Sequence, residues 1–231
     1  MKTSIKLLLG LILLIVCGLF YVKYDLKEQY KTLDTSDPFH EFEKTEGLVF
    51  SHVKVEGGNN SHLYIEPAAT NRLLIDKRLL SDISYTVEND TLIINYSAAQ
   101  TQEENNGGNY WGTRERCSVI IEYTAVESIV ATNASIGLEM SGQNLFKTQL
   151  FGSSNLELFT GQESLQTLSI ESHGDSKHRI NGREGINNLA FLNMALTDQS
   201  IAELYRISVD SSTILLDSTS RISADGNFFK N

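Results

Sequence analysis

His173, Asp175 and His178 come nearest in this chain to a metal-binding set. They lie in the run His173-Gly174-Asp175-Ser176-Lys177-His178-Arg179, and two imidazoles with a carboxylate are ligand types that zinc accepts. A polar surface turn between repeated elements accounts for the same run. His178 also falls close to a position that other repeats fill with Leu158 or Leu216, which reads as an imperfectly apolar core residue with a hydrogen-bonded ring. The expectation is no metal and no cofactor.

Carboxylates that cleave a sugar chain must stand as a near pair. Glu139, Glu157 and Asp217 are instead spread over several repeats, and the outward column Ser128, Lys147, Thr167, Asn188 and Arg206 holds no acid. No G-x-S-x-G, H-E-x-x-H, P-loop or nonapeptide calcium motif occurs. Cys117 opens the apolar run Cys117-Ser118-Val119-Ile120-Ile121 and reads as a buried strand thiol. Cys17 lies in an apolar N-terminal stretch and cannot pair with it, and there is no CxxC pair. No catalytic residue is expected. Tyr110 and Trp111 are the candidate binding residues. They stand in the long polar loop 98–116, and exposed aromatics supply contact energy at little ordering cost. Packing against the wall of the fold is the competing reading.

The element that must position such residues is a repeat. From Val126 the chain repeats about every 20 residues, the signature of a stacked architecture. One column reads Val126, Leu145, Leu165, Ile186, Leu204. The next reads Ile129, Thr148, Leu168, Leu189, Ile207. A third reads Ala131, Leu150, Ile170, Phe191, Val209. A later pair recurs as Ile136/Leu138, Leu156/Leu158 and Ile214/Leu216. Offsets that differ by two place side chains on one face of a strand. Turns are expected at Ser141-Gly142-Gln143, Thr160-Gly161-Gln162 and Asn181-Gly182-Arg183. A single repeat cannot bury its apolar face, but a stack builds a continuous core. The fold class is all-β: a single-stranded parallel β-helix or solenoid with ~20-residue coils, preceded by one N-terminal transmembrane helix.

Residues 7–22 carry no charge and are flanked by Lys2, Lys6 and Lys23. The run is a little short of the ~20 residues that span a bilayer, and snorkelling lysines extend its reach. No small-x-small cleavage site follows. A signal-anchor over residues 1–24 is the favoured reading, ahead of a cleaved signal peptide or lipidation at Cys17. Basic residues on the short N-terminal side place that end in the cytoplasm. The expected protein is single-pass, with its C-terminal body outside the cytoplasm. Residues 25–47 are polar and charged and read as a stalk.

Residues 48–123 read as the more irregular N-terminal part of a 48–231 solenoid domain, with regular coils over 126–231. Strands are expected at 49–55, 62–65, 72–75, 83–87, 91–96 and 118–123, with Asn89-Asp90 as a hairpin turn. The opening Phe50-Ser51-His52-Val53-Lys54-Val55-Glu56-Gly57 is followed by Leu63-Tyr64-Ile65 and Asp90-Thr91-Leu92-Ile93-Ile94. Then Val119-Ile120-Ile121-Glu122-Tyr123 leads into Val126-Glu127-Ser128-Ile129 and coils with Ser-Gly and Thr-Gly corners. This order resembles the auto-transporter adhesin, head GIN domain family of Bacteroidetes envelope proteins, over about residues 48–229. The resemblance implies a β-solenoid in the cell envelope and supplies no catalytic residues.

The net charge of −10 is uneven: residues 1–31 carry +3 and the remainder −13. So acidic a body excludes nucleic acid as a partner. The expected function is a non-enzymatic, adhesin-like binding module of the envelope, held at the membrane by its N-terminal helix and taking a glycan or an envelope protein. A scaffolding protein without a specific ligand is the alternative, ahead of a β-helix polysaccharide-processing enzyme.

Overall fold

In the computed structural model, residues 14–27, 39–58, 62–97, 117–140, 144–160, 165–182 and 187–225 are described. The chain divides into two units, Met1–His40 and Glu41–Asn231. In the first, residues 14–27 form a helix. The expectation of a single-pass membrane protein is corrected here. Among the described residues no helix is long and apolar enough to cross a membrane. Its described part, residues 14–27, is shorter than the ~20 residues a bilayer requires, and Lys23, Asp25 and Lys27 stand in its last turns.

The second unit is β-structure in two sheets. Its strands are β1 (Phe42–Glu46), β2 (His52–Glu56), β3 (His62–Pro67), β4 (Arg72–Asp76), β5 (Ile83–Glu88), β6 (Thr91–Tyr96), β7 (Val119–Tyr123), β8 (Ser128–Thr132) and β9 (Ser135–Met140). They continue as β10 (Leu145–Phe151), β11 (Asn155–Thr160), β12 (Thr167–Ser172), β13 (Lys177–Gly182), β14 (Asn187–Leu196), β15 (Ile201–Tyr205), β16 (Ile207–Leu216) and β17 (Arg221–Ala224). One sheet has the order β1-β4-β7-β3-β9-β11-β13-β15-β17, and the other β16-β14-β12-β10-β8-β2-β6-β5. From β8 onward, each coil places one strand in the eight-stranded sheet and the next in the nine-stranded sheet. Both stack in parallel on the coil before. This is a parallel β-solenoid.

The first half joins the stack out of chain order. β2 and β3 lie between the β8/β9 coil and a coil made of β6 and β7. β4 and β5 then pair antiparallel on the outer side, and β1 pairs with β4. Phe42–Glu46, whose charged composition reads as stalk, therefore belongs to the sheet. Asn89 and Asp90 form the expected hairpin turn between β5 and β6, both at positive φ.

Alternating apolar residues fill the space between the sheets. In the eight-stranded sheet one inward row runs Leu92, Val53, Ile129, Thr148, Ile170, Met194. In the other sheet Leu63, Ile136, Leu156, His178 and Ala202 align. The expected columns are corrected in register. Leu168 aligns with Phe146 and Leu192, not with Thr148 and Leu189. Leu204 belongs to the second inward pair, beside Ile180. The cause is unequal coil length: a two-residue slip leaves the facing of every side chain unchanged, so the sequence columns look sound. Phe191 is a different case. In β14 the buried residues are Leu189, Leu192, Met194 and Leu196. The three-residue step after Leu189 reverses the facing, and Phe191 points outward with 54% of its surface exposed. Leu145 is likewise outside, at 59%.

The corners between the paired strands are polar and buried. Ser154, Ser176 and Ser200 stack at successive corners, with Ser176 Oγ 2.6 Å from Ser172 Oγ and 3.3 Å from Ser200 Oγ. Ser200 Oγ also donates to the Gly174 carbonyl at 3.0 Å. Buried hydroxyls need partners, and these find them in one another and in corner carbonyls that also accept backbone amides, Gly174 from the Ser176 amide and Phe151 from the Asn133 amide. Gly174 has φ +81, and a Cβ there would stand 3.0 Å from the Gly152 backbone. Gly174→Ala is therefore expected to cost about 1–3 kcal/mol, from positive-φ strain and a contact that only backbone movement relieves. A shift in the urea midpoint measures it; an unchanged midpoint would mean the corners do not stack this closely.

Candidate binding face

The side chains with reactive chemistry fall into separate groups. His173 stands on the outside of a corner, with its ring stacked on Phe151 at 5.2 Å. Its Nδ1 is 2.9 Å from Thr197 Oγ1 and its Nε2 is 3.0 Å from Glu171 Oε1. Gln149 Nε2 donates to the same carboxylate at 2.7 Å. The hydrogen bonds from His173 and Gln149 hold Glu171 below the usual carboxylate range. A carboxylate, an imidazole and a hydroxyl in sequence are the parts of a nucleophile-activating relay. Acyl transfer also needs free donors for the oxyanion. The nearby amides are occupied, the Asp198 amide by Asp217 Oδ2 at 2.6 Å and the Gln199 amide by Thr219 Oγ1 at 3.0 Å. The trio is a closed surface network.

His178 is on the other side of the wall. It is buried between Leu156 and Ala202, its Nε2 has no hydrogen-bond partner among the described residues, and burial pushes its pKa down to about 3. The sequence reading of an imperfectly apolar core position holds, without the expected hydrogen bond at this nitrogen. His173 and His178 do not converge.

The outer face of the nine-stranded sheet carries a register-matched row of Glu157, Arg179 and Glu203. Arg179 Nε donates to Glu203 Oε2 at 3.0 Å, Lys177 Nζ lies 2.5 Å from Glu203 Oε1, and Asn181 Nδ2 donates to Glu157 Oε1 at 2.9 Å. Glu157 is 6% exposed, and burial raises its pKa against the pull of Arg179. Two carboxylates flanking an arginine were not evident from sequence, because the three residues belong to three different coils. Arg179 fills the space between them where a glycosidase would hold its substrate. Nearer the chain start this face is covered: Tyr64, Leu74 and Ile120 point outward and are buried.

The outer face of the eight-stranded sheet is different. Ser128, Lys147, Ser169, Asn193 and Thr213 lie side by side on β8, β10, β12, β14 and β16. All are half-buried or exposed. Ser128 accepts or donates at 2.8 Å to His52 Nδ1. Among the described residues, the side chains of Lys147, Ser169, Asn193 and Thr213 make no hydrogen bond or ion pair. Phe191 stands beside this row, next to Thr167. The sequence placed Ser128 and Lys147 correctly but continued the column with Thr167, Asn188 and Arg206, for the register reasons given above.

A cleft of about 550 Å³ lies elsewhere, against Leu48, Val49, Phe50, Asn71 and Thr124. Asn71 closes part of it by accepting from the Thr124 amide at 2.7 Å. Cys117 is buried, and desolvation pushes its thiol up to about 12, so it is no nucleophile at neutral pH. Tyr110 and Trp111 lie outside the described residues.

No family model matches the chain, so head GIN membership is not supported by a family match, and no curated protein matches. Among solved structures, the chain is similar to a candidate adhesin from Bacteroides fragilis at 8% identity, over 79% of this chain and 95% of that one, with a TM-score of 0.39. It is similar to a candidate cell adhesion protein from Clostridium sporogenes at 12% identity, over 82% and 100%, with a TM-score of 0.40. A candidate lipid-binding protein from Parabacteroides distasonis follows at 10% identity, over 83% and 97%, with a TM-score of 0.36.

Proposed function

We propose that the protein is a non-enzymatic, adhesin-like binding module for cell-envelope components, and that its contact surface is the outer face of the eight-stranded sheet. The observation that supports this reading is the row Lys147, Ser169, Asn193 and Thr213. Its donors and acceptors are unengaged, while the charged groups of the opposite face are tied to one another. Unpaired polar side chains held at fixed spacing on paired strands lose little freedom when a ligand docks. The catalytic alternatives lack either an open oxyanion site or room between the carboxylates.

Co-sedimentation of the full chain with isolated envelope material tests the reading. Asn193→Arg, on the proposed face, is expected to weaken retention at least tenfold. Ser223→Arg, outward on the nine-stranded sheet, is expected to leave it unchanged. Equal loss in both variants would reject the face, and no retention of the unaltered chain would return the scaffolding reading. Tyr110→Ala with Trp111→Ala forms a further arm. Retention lost there with melting unchanged, and kept in Asn193→Arg, would move the contact to the 98–116 loop.

A further inference from the structure

We infer that the ligand of this face is a neutral glycan chain lying along the solenoid axis, across β10, β12, β14 and β16; the inference rests on the binding reading above.

The first support is chemical. Ser169 and Thr213 hydroxyls and the Asn193 amide each both donate and accept. A sugar hydroxyl needs the same pair of functions, and a row of such groups meets a row of hydroxyls without leaving either unpaired. The second is geometric. Neighbouring strands are about 4.8 Å apart, close to the length of one pyranose unit, and the parallel in-register pairing keeps that interval from β10 to β16. A chain crossing the strands therefore meets one polar side chain for each sugar. Phe191, exposed beside Asn193, offers a flat ring for the C–H face of one unit.

The third support is charge. The chain carries −10 overall, yet the row holds only Lys147, and the neighbouring Glu171 feels that charge. Neither a polyanion nor a polycation finds a complementary row. Other classes fit less well. An extended peptide adds to an open sheet edge; of the four strands only β16 lies at the end of the sheet, and a peptide added there would run along β16 and not cross β10, β12 and β14, which are paired on both sides. An acyl chain needs a continuous apolar groove, and here Phe191 is followed in its row by Ser211.

Calorimetric titration of the full chain with cello-, xylo-, manno-, malto- and chito-oligosaccharides, against oligogalacturonates, tests the inference. At least one neutral series is expected to bind, with affinity rising per added unit up to about four units, one for each strand crossed, and then levelling. Phe191→Ala and Asn193→Ala are each expected to weaken that binding roughly tenfold, with melting unchanged because both sites are exposed. Three results would overturn it: no neutral series binds, only the galacturonates bind, or neutral binding ignores both substitutions. If any of these occurs while envelope retention still depends on Asn193, the glycan assignment fails and the binding face stands. If retention too is indifferent to Asn193, both fail.

Discussion

Leu168→Ala is expected to lower the stability of the folded chain by about 2–5 kcal/mol, and Thr167→Ala to change it by no more than about 0.5 kcal/mol. Leu168 is fully buried, with Phe146 and Leu192, also fully buried, on the strands either side of it. Truncation removes transfer energy and leaves a cavity that two flanking coils hold open. Thr167, one residue earlier, faces outward between Leu145 and Phe191, both exposed. Urea midpoints at constant slope read the difference. Ile170 and Glu171 give a weaker contrast, since Glu171 is engaged by His173 and Gln149. Equal effects at Leu168 and Thr167 would mean that the inward register is wrong.

The second large effect is on acid stability. Burial pushes His178 from 6.5 down to about 3, so between those values the unfolded chain binds a proton that the folded chain refuses. Stability is then complete above about pH 6.5 and falls as the pH drops, by roughly 1.4 kcal/mol per unit. At pH 5 the loss from this residue is about 2 kcal/mol. His178→Leu places an apolar side chain beside Leu156 and removes a buried ring nitrogen that has no hydrogen-bond partner among the described residues. The variant is expected to gain about 1 kcal/mol or more at pH 7 and to lose most of the slope between pH 7 and pH 5. Thermal unfolding of both chains across that range measures it. The same slope in the variant would assign acid sensitivity to another group, first of all His62, whose pKa burial also lowers.

The parallel stack could be read from the sequence because inward side chains recur with a period of two inside each strand. Leu168, Ile170, Leu156 and Leu158 are all buried as that period requires. Asn89-Asp90 was legible because both residues tolerate positive φ. The register between coils was not legible, since turns of different length absorb slips of two without changing which face is apolar. The reversal at Leu189–Leu192 left no local mark, and it moved Phe191 from the expected core to the proposed contact surface. The placement of β2 and β3 between β6/β7 and β8/β9 depends on pairing across long chain separations, which local patterning does not encode. The serine corners had a sequence trace in Ser154, Ser176 and Ser200, but hydroxyls at turns read as ordinary solvent-facing residues until their burial is seen. The apolar run at the N-terminus suggested a membrane span from charge and hydropathy alone, and no described helix meets the length and apolarity that a span requires.

The most direct test of the binding account is chemical-shift mapping of the full chain, labelled at side-chain amides, methyls and aromatic rings, during titration with the neutral oligosaccharide series. Shifts are expected at the Asn193 amide, the Phe191 ring and the Thr213 methyl, with the Asn181 amide and Tyr205 ring on the opposite sheet unmoved. Shifts confined to Asn181 and Tyr205, or none on either sheet at saturating ligand, would contradict it.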